Sequence, residues 1–470
     1  MRPPRDATRP DRLRELEQEN TFLREGLEKA LAEIERLRKA LEEALRATKR
    51  QAAPFSKGEP KPNPQRPGRK PGARYGQRAS RPVPAHVDEA IHVPLPPQCR
   101  RCGGSVVHTD TQPQFQEDLV RRTLVRRFDV EVGQCAGCGR HVQGRHPLQT
   151  SAALGAAQVQ VGPEALALAA HLNKELGLSH ERMARVLALG YGLQVSRSTL
   201  CRALTRLGAK AAATYDRLRA ALRESPVAWE DETGWRVAGW LEWLWVGVSP
   251  AVTVYDILPG RGFAEAASLL GEDYDGVLHH DGWRPYYRFL QATHQSCVSH
   301  VLRRCRDLVK SASPSAARLP RAIMDLLPQA LALRDRYRDG KLSRHGLAVA
   351  TGRLEASMDR WLDKPYRSAP NRRLAKHLSH ERPHLFTFLR CPGGIHATNN
   401  AAERALRPAV VARKTWGGNR THQGAETQKI LASVLRTCRQ QGKEAFGRLT
   451  ALLRSPHPVI LDIVPASHSP

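Results

Sequence analysis

The sequence has no run approaching the roughly 18 apolar residues that a helix needs to cross a bilayer. Its first twenty residues, MRPPRDATRPDRLRELEQEN, contain no apolar core of a signal peptide. These absences argue against a membrane protein or an exported precursor, so a reducing cytoplasm is expected. The chain is also short of acid: 46 Asp and Glu stand against 74 Lys and Arg, for a net charge of +28. Such a surplus exceeds what solubility needs and marks a polyanion-binding surface, with nucleic acid as first candidate. Cysteine is sparse. Four of the nine fall into two C-x-x-C pairs, and Cys201, Cys297, Cys305, Cys391 and Cys438 are scattered. That is a poor disulfide framework but a plausible metal site plus free thiols. A chain of 470 residues is long enough for about two to four domains, each with its own core.

What is present divides along the chain. Over residues 1–47 a heptad runs with Leu13, Asn20, Leu27, Ile34 and Leu41 at a and Leu16, Leu23, Ala30, Leu37 and Ala44 at d. The g to e′ pairs of a parallel dimer would be Arg12 with Glu17, Glu19 with Arg24 and Glu33 with Arg38, all of opposite sign, and Asn20 at a favours two strands in register. A coiled coil joining protomers is expected. Residues 48–85, centred on KPNPQRPGRKPGARYGQR, are too rich in Pro, Gly and basic residues to bury a core and read as a cationic linker. Residues 86–148 carry Cys99 and Cys102, then Cys135 and Cys138, each pair followed by a glycine (Gly103, Gly139) that permits a tight turn round a thiolate-bound ion. The β-prone segment between them suggests a zinc ribbon, with His141 and His146 as surface residues. Residues 149–223 read as helices. One around Met183–Leu189 meets a turn with Gly190 and Gly192, and Ser196 can cap a second helix bearing Arg197, Ser198, Thr199 and Arg202 near its exposed start, in the manner of a DNA-reading helix-turn-helix.

From Val227 the stretch VAWEDETGWRVAGWLEWLWVGVSPAVTVYDILPGR holds three β-prone runs and five of the eight tryptophans. A short helix, GFAEAASLLG, and a fourth strand, YDGVLHHDG, follow. A meander, a crossover helix and a strand parallel to the first open an α/β sheet of the ribonuclease H type. Asp231 and Asp281 would then sit at matching points of neighbouring strands, where both could reach a pair of divalent ions. Phosphodiester chemistry needs two ions about 3.5–4 Å apart, and hard carboxylate oxygens favour Mg²⁺. By strand alternation Glu230 and Glu232 lie on the face opposite Asp231.

WEDETGW with Asp231, HHDGWRPYY with Asp281, CVSHVLRR and TNNAAERALRPAVVARKTW with Glu403 together resemble the DDE transposases of the IS66 family. The heptad, the linker, the four cysteines and the helical segment stand in the same order there, so the resemblance spans nearly the whole chain. It implies an RNase H-like catalytic domain with a helical insertion, Glu403 as the third acid, action on the inverted-repeat ends of an insertion sequence, and an association with small accessory proteins of the same element. The helical periodicity of RAIMDLLPQALALRDRYRDG and HGLAVATGRLEASMDRWLDK agrees with an insertion. After Arg413 and Lys414 the family commonly has Asn-Trp and an apolar pair, whereas this chain reads TWGGNR. Cys297 and His300 match a C-x-x-H found in helically inserted transposases and are expected to be structural; Trp416 is expected to be a buried aromatic.

The expectation is therefore a multidomain chain: coiled coil 1–47, basic linker 48–85, zinc-binding domain 86–148, helical DNA-binding segment 149–223, RNase H-like catalytic domain 224–440 with an insertion at about 306–395, and a tail 441–470. Asp231, Asp281 and Glu403 would hold Mg²⁺ (or Mn²⁺). The four cysteines would hold structural Zn²⁺. Arg197, Ser198, Thr199 and Arg202, with Arg404, Arg407, Arg413 and Lys414, would contact transposon ends and target DNA in a cytoplasmic, nucleoid-associated homo-oligomer. The competing readings are a DNA-binding regulator or inactive remnant, and an RNase H-like nuclease that cuts without joining.

Overall fold

The structure is a computed structural model that describes residues 9–47, 83–98, 101–116, 122–149, 159–391, 394–457 and 459–465. The chain forms two compact units, Met1–Glu117 and Asp118–Pro470.

The first unit contains α1 (Arg9–Ala47). Leu16, Leu23, Leu27, Ile34 and Leu37 are more than half exposed on it, so the apolar seam is uncovered at these positions. The body of the linker, residues 48–82, lies outside the described residues. Farther on, Gln98 and Ser105 pair in an isolated bridge beside Cys102, and Gly103 turns the chain with φ +75°. Cys99 lies outside the described residues.

The second unit opens with a hairpin of β1 (Val132–Gln134) and β2 (His141–Gln143). Its turn carries Cys135 and Cys138 and closes through the Gly139 N–H on the Cys135 carbonyl at 2.8 Å, Gly139 having φ +67°. The β-prone residues before it do not extend the strand: Leu124, Val125 and Val132 are exposed, so no core rewards further pairing.

The helices α2 (Pro163–Ala170), α3 (His180–Tyr191) and α4 (Arg197–Arg223) follow. Ser179 and Ser196 cap α3 and α4 through their side chains, and Gly192 ends α3 at φ +72°. Gly190 belongs to α3 rather than to the turn. The first turn of α4 is solvent-facing, and beyond it one face stays exposed through Arg202, Arg206, Asp216 and Arg217 while the other is buried. From Leu200 to Leu222 it buries Leu204, Leu207, Ala211, Tyr215 and Leu218 in a core shared with the sheet and with the C-terminal helices. The expected boundary at 223/224 is therefore not a boundary of packing: at 27 residues α4 spans about 40 Å and links the two segments as one body.

The sheet comprises β3 (Val227–Val237), β4 (Trp240–Val248), β5 (Thr253–Leu258), β6 (Val277–His280) and β7 (Thr293–Ser296), with α5 (Phe263–Leu270) crossing between β5 and β6. Strand order is β5-β4-β3-β6-β7. The first three strands are antiparallel; β6 runs parallel to β3, and β7 parallel to β6. Alternation divides β3 between two environments. Ala228 joins the core containing α4, whereas Trp229, Trp235 and Val237 join a second core against a later helix.

After β7 come α6 (Val298–Ser311), α7 (Arg318–Arg338), α8 (Arg344–Leu362), α9 (Ala369–Leu385) and α10 (Thr387–Arg390). They enclose their own core, from Val298 through Phe388 to Ala397. The packing of this helical segment begins at α6. Then α11 (Asn400–Trp416), α12 (His422–Gln440) and α13 (Ala445–Arg454) complete the chain. Residues 441–465 are no loose tail: Leu449, Leu452, Leu453, Leu461 and Ile463 are buried beside α2 and α4, and Lys210 Nζ donates to the Leu453 and Ser455 carbonyls.

Candidate active site

In the parallel ladder Val227 pairs Val277, Ala228 pairs Leu278 and Trp229 pairs His279. Two residues on, the same offset brings Asp231 and Asp281 level, on the face that carries Trp229. That face is covered by α11, whose Ala402, Ala405 and Leu406 pack on Trp229 and Trp235. Glu403 lies in the first turn of α11. Burial first, then the negative charges of Glu232, Asp281 and Glu403, push the Asp231 carboxyl well above the usual range. The three expected acids are thus brought within one another's field. Asp281 Oδ1 accepts from the Trp283 N–H at 2.8 Å, and Asp231 Oδ1 from the Glu232 N–H at 2.9 Å.

Two residues expected to be structural stand against this site. His300 Nε2 is 3.5 Å from Glu403 Oε1, and Cys297, His300 and Glu403 offer ligand atoms all within 4.8 Å of one another. Among the described residues no such tight group includes Asp231 or Asp281. Burial lowers the His300 pKa against the pull of Glu403 and Asp281, and raises that of the Cys297 thiol. The Cys297 sulfur accepts from the Asn399 N–H at 3.2 Å, so it also fastens the start of α11.

Asn399 carries more of the arrangement than a cap would. Its side chain caps nothing; it donates to the Glu230 carbonyl at 2.9 Å, while its own carbonyl accepts from the Glu403 N–H at 3.2 Å. One fully buried residue thereby connects the strand of Asp231 with the turn of Glu403. The signal for it in the sequence, two asparagines before a run of helix formers, suggests a cap equally well.

On the other face of β3, Glu230 is fully buried with neither carboxylate oxygen hydrogen-bonded. Burial, then the charges of Glu232 and Asp231, raise its pKa far above the carboxylate range. Glu232 pairs with Arg261 Nε at 2.5 Å and accepts from the Tyr286 hydroxyl at 2.5 Å. Nothing in the sequence joined these three positions.

The remaining expected residues scatter in role. Arg404, Arg407 and Lys414 are exposed along α11, but the Arg413 guanidinium turns inward to the Gly234 carbonyl and to Thr233 Oγ1. Arg197 and Arg202 are exposed on α4, whereas the Ser198 and Thr199 hydroxyls both lie 2.9 Å from Ser196 Oγ in the cap. The Trp416 N–H donates to the Gly177 carbonyl at 3.0 Å and its ring meets Trp235 edge-on. After Gly417 and Gly418, Asn419 adds to the end of β3, its backbone exchanging bonds with Arg236 and Ala238 and its side chain accepting from the Trp235 N–H. A Cβ on Gly418 would lie against the Arg236 carbonyl oxygen, so the GG of TWGGNR is what lets this return pass. Glu426 is exposed and paired with Lys429 at 2.8 Å, away from the other acids.

Residues 158–427 match the profile described as the IS66 family of transposases. The chain belongs to that family. Two proteins of Sinorhizobium fredii (strain NBRC 101917 / NGR234) are similar to this IS66 family transposase. The uncharacterized protein y4jD is 25% identical over 428 residues, covering 82% of this chain and 81% of that one. The uncharacterized protein y4qI is 23% identical over 291 residues, 56% of this chain and 53% of that one. No described helix of the transposase is long and apolar enough to cross a membrane.

Proposed function

We propose that this protein is a DDE-type transposase that cleaves the inverted-repeat ends of its element and joins them to target DNA, with Asp231, Asp281 and Glu403 as the catalytic acids. The observation that carries the reading is the convergence of the three from the middle of β3, the end of β6 and the start of α11. The strand order β5-β4-β3-β6-β7, with two parallel strands added to a meander, supports an RNase H-like catalytic domain. The acids suit a divalent cation: their charges act on Asp231, and Glu403 Oε1 is buried without a hydrogen bond. Asp231, Asp281 and Glu403 would hold Mg²⁺ or Mn²⁺, whose chemistry is activation of an attacking water or 3′ hydroxyl and stabilisation of the leaving oxygen.

The chain's own residues do the positioning. Asn399 holds the first turn of α11 to β3, Cys297 holds it to the start of α6, and His300 of α6 stands 3.5 Å from the Glu403 carboxylate. Arg404, Arg407 and Lys414 offer positive charge to phosphates beside the acids. Arg197, Arg202 and the basic linker supply end binding, with Arg413 left to anchor α11. The cysteines at C-x-x-C spacing, Cys99 with Cys102 and Cys135 with Cys138, would be ligands for structural zinc, a reading supported by Gly103 and Gly139 standing at positive φ just after Cys102 and Cys138. The uncovered seam of α1 would join protomers, and accessory proteins of the element are further partners.

The test is a strand-transfer assay on linear DNA carrying the element's ends, with Mg²⁺. Wild type should give joined products, and Asp231→Asn, Asp281→Asn and Glu403→Gln should each lose them by orders of magnitude while still binding ends. Cleavage without joining would make the protein a nuclease. Binding by the wild type with no cleavage would make it a regulator or an inactive remnant.

A further inference from the structure

We propose that Trp283 is a stacking platform for a nucleobase lifted out of the duplex beside the scissile phosphate. The inference rests on the catalytic reading above and concerns the same site. Trp283 follows Asp281 by two residues, and its N–H donates to the Asp281 carboxylate. Between them Gly282 has φ +88°, and a Cβ there would come within 2.8 Å of the Glu381 carboxylate. The tight turn that aims Asp281 therefore fixes where the indole stands.

The ring is braced from behind. The Arg261 guanidinium lies 4.4 Å from the centre of the Trp283 ring and 4.9 Å from that of Trp243. Arg261 is held in turn by Glu232, whose side chain is wholly buried, and Glu232 by the Tyr286 hydroxyl. An indole backed by a fixed cation has lost most of its freedom before any ligand arrives, so a flat partner binds without a further ordering cost. Yet the residue is 39% exposed, whereas Trp229, Trp235 and Trp245 are buried in the cores. With Arg261 over the ring, the exposure leaves part of the indole open next to Asp281.

A base inside a duplex offers only its edges to a protein; its π-face is available once it is unpaired. An open aromatic plane one turn from a phosphodiester site, backed by positive charge, matches that face and is indifferent to which base provides it. Trp240 is more exposed still, at 78%. It sits at the tip of the β3–β4 hairpin, six residues of strand from Asp231 and so about 20 Å away, too far to touch a base next to the reacting phosphate.

The experiment uses the full chain in Ca²⁺ and fluorescein-labelled duplexes of the element's end joined to flanking DNA. One duplex is fully paired; the others carry a single unpaired thymine, walked through the positions on either side of the junction. Fluorescence anisotropy reads the affinity ratio of unpaired to paired DNA. Wild type should favour one unpaired position by about ten- to a hundredfold. Trp283→Ala, with an unchanged melting temperature, should bring the ratio to one, and Trp283→Phe should keep most of it. A wild type with no preference at any position, or a Trp283→Ala protein that retains it, overturns the proposal. Cleavage in Mg²⁺ is scored separately: preference lost with Trp283 in a protein that cannot cleave refutes the catalytic reading alone, and Asp231-dependent cleavage without a preference refutes the stacking site alone.

Discussion

The two faces of β3 put three consecutive acids to opposite uses. Toward α11, Asp231 stands largely buried among other carboxylates. Toward α5 and Tyr286, Glu232 is neutralised by Arg261 and a hydroxyl, and Glu230 is sealed in without a partner. The first arrangement is poor for stability and good for holding a cation. The second keeps its acids paired or sealed in. The adjacent carboxylates differ because alternation turns Asp231 to one face and Glu230 and Glu232 to the other.

The comparison breaks most visibly in catalysis. Asp231→Asn or Glu403→Gln should reduce strand cleavage by orders of magnitude, whereas Glu230→Gln should leave it within a few-fold. A cleavage gel on the same end DNA decides between them. In metal-free buffer Asp231→Asn should also raise Tm by a few degrees, because it removes like-charge repulsion. An Asp231→Asn protein that cleaves normally would reverse the assignment of the two faces.

Arg261→Met should be the costliest change on the structural face. It leaves Glu232 buried without its counter-charge, a loss toward the lower end of roughly 3–5 kcal/mol, since Arg261 itself is one-third exposed. Urea unfolding should register it, and Glu232→Gln in the same chain should recover part of the loss.

Asn399→Ala joins the faces to the helix and should act on both. A buried hydrogen bond is removed and the Glu230 carbonyl is left unpaired, at about 1–3 kcal/mol. Single-turnover cleavage should fall more than end-binding affinity does, because Glu403 is displaced while the basic surface is kept.

The smallest effect is the pH dependence of stability without metal. Glu230 has a raised pKa in the fold, so its contribution is intact below the unfolded carboxylate range and is lost as pH rises through and above it. Glu230→Gln should flatten that decline. The histidines beneath β6 act with the opposite sign. Burial lowers His280 well below its ordinary value and His384 to about 4, so stability falls as pH drops from about 6.5 toward 4. His384→Gln should soften this acid limb in thermal melts by a few degrees or less.

Much of the sheet and its crossover was legible because its signals are local. The meander and crossover came from β-prone runs broken by Gly and Pro, and the level placement of Asp231 and Asp281 followed from strand parity. Ser196 and Gly192 did what capping chemistry requires of them. The partition failed where the sequence changes texture without a change of core. The composition shift at Val227 suggested a domain boundary, but α4 crosses it with its apolar face buried throughout. The β-prone stretch before Cys135 failed for the converse reason, having propensity but no partner.

The sequence by itself determined which residues could serve: acids at strand ends, cysteines at ligand spacing, a heptad, and a basic balance suited to DNA. Each is a matter of residue type and short-range periodicity. Only the tertiary structure decided which of them meet. Glu403 exerts its charge on Asp231 from more than 170 positions farther along the chain because Asn399 and the alanine face of α11 dock on β3. Arg413 is drawn inward by the Gly234 carbonyl of that strand, and Arg261 finds Glu232 and Trp283 through the turn after β5. Contacts of this kind depend on the whole core closing around them, and no local pattern in the chain encodes that closure.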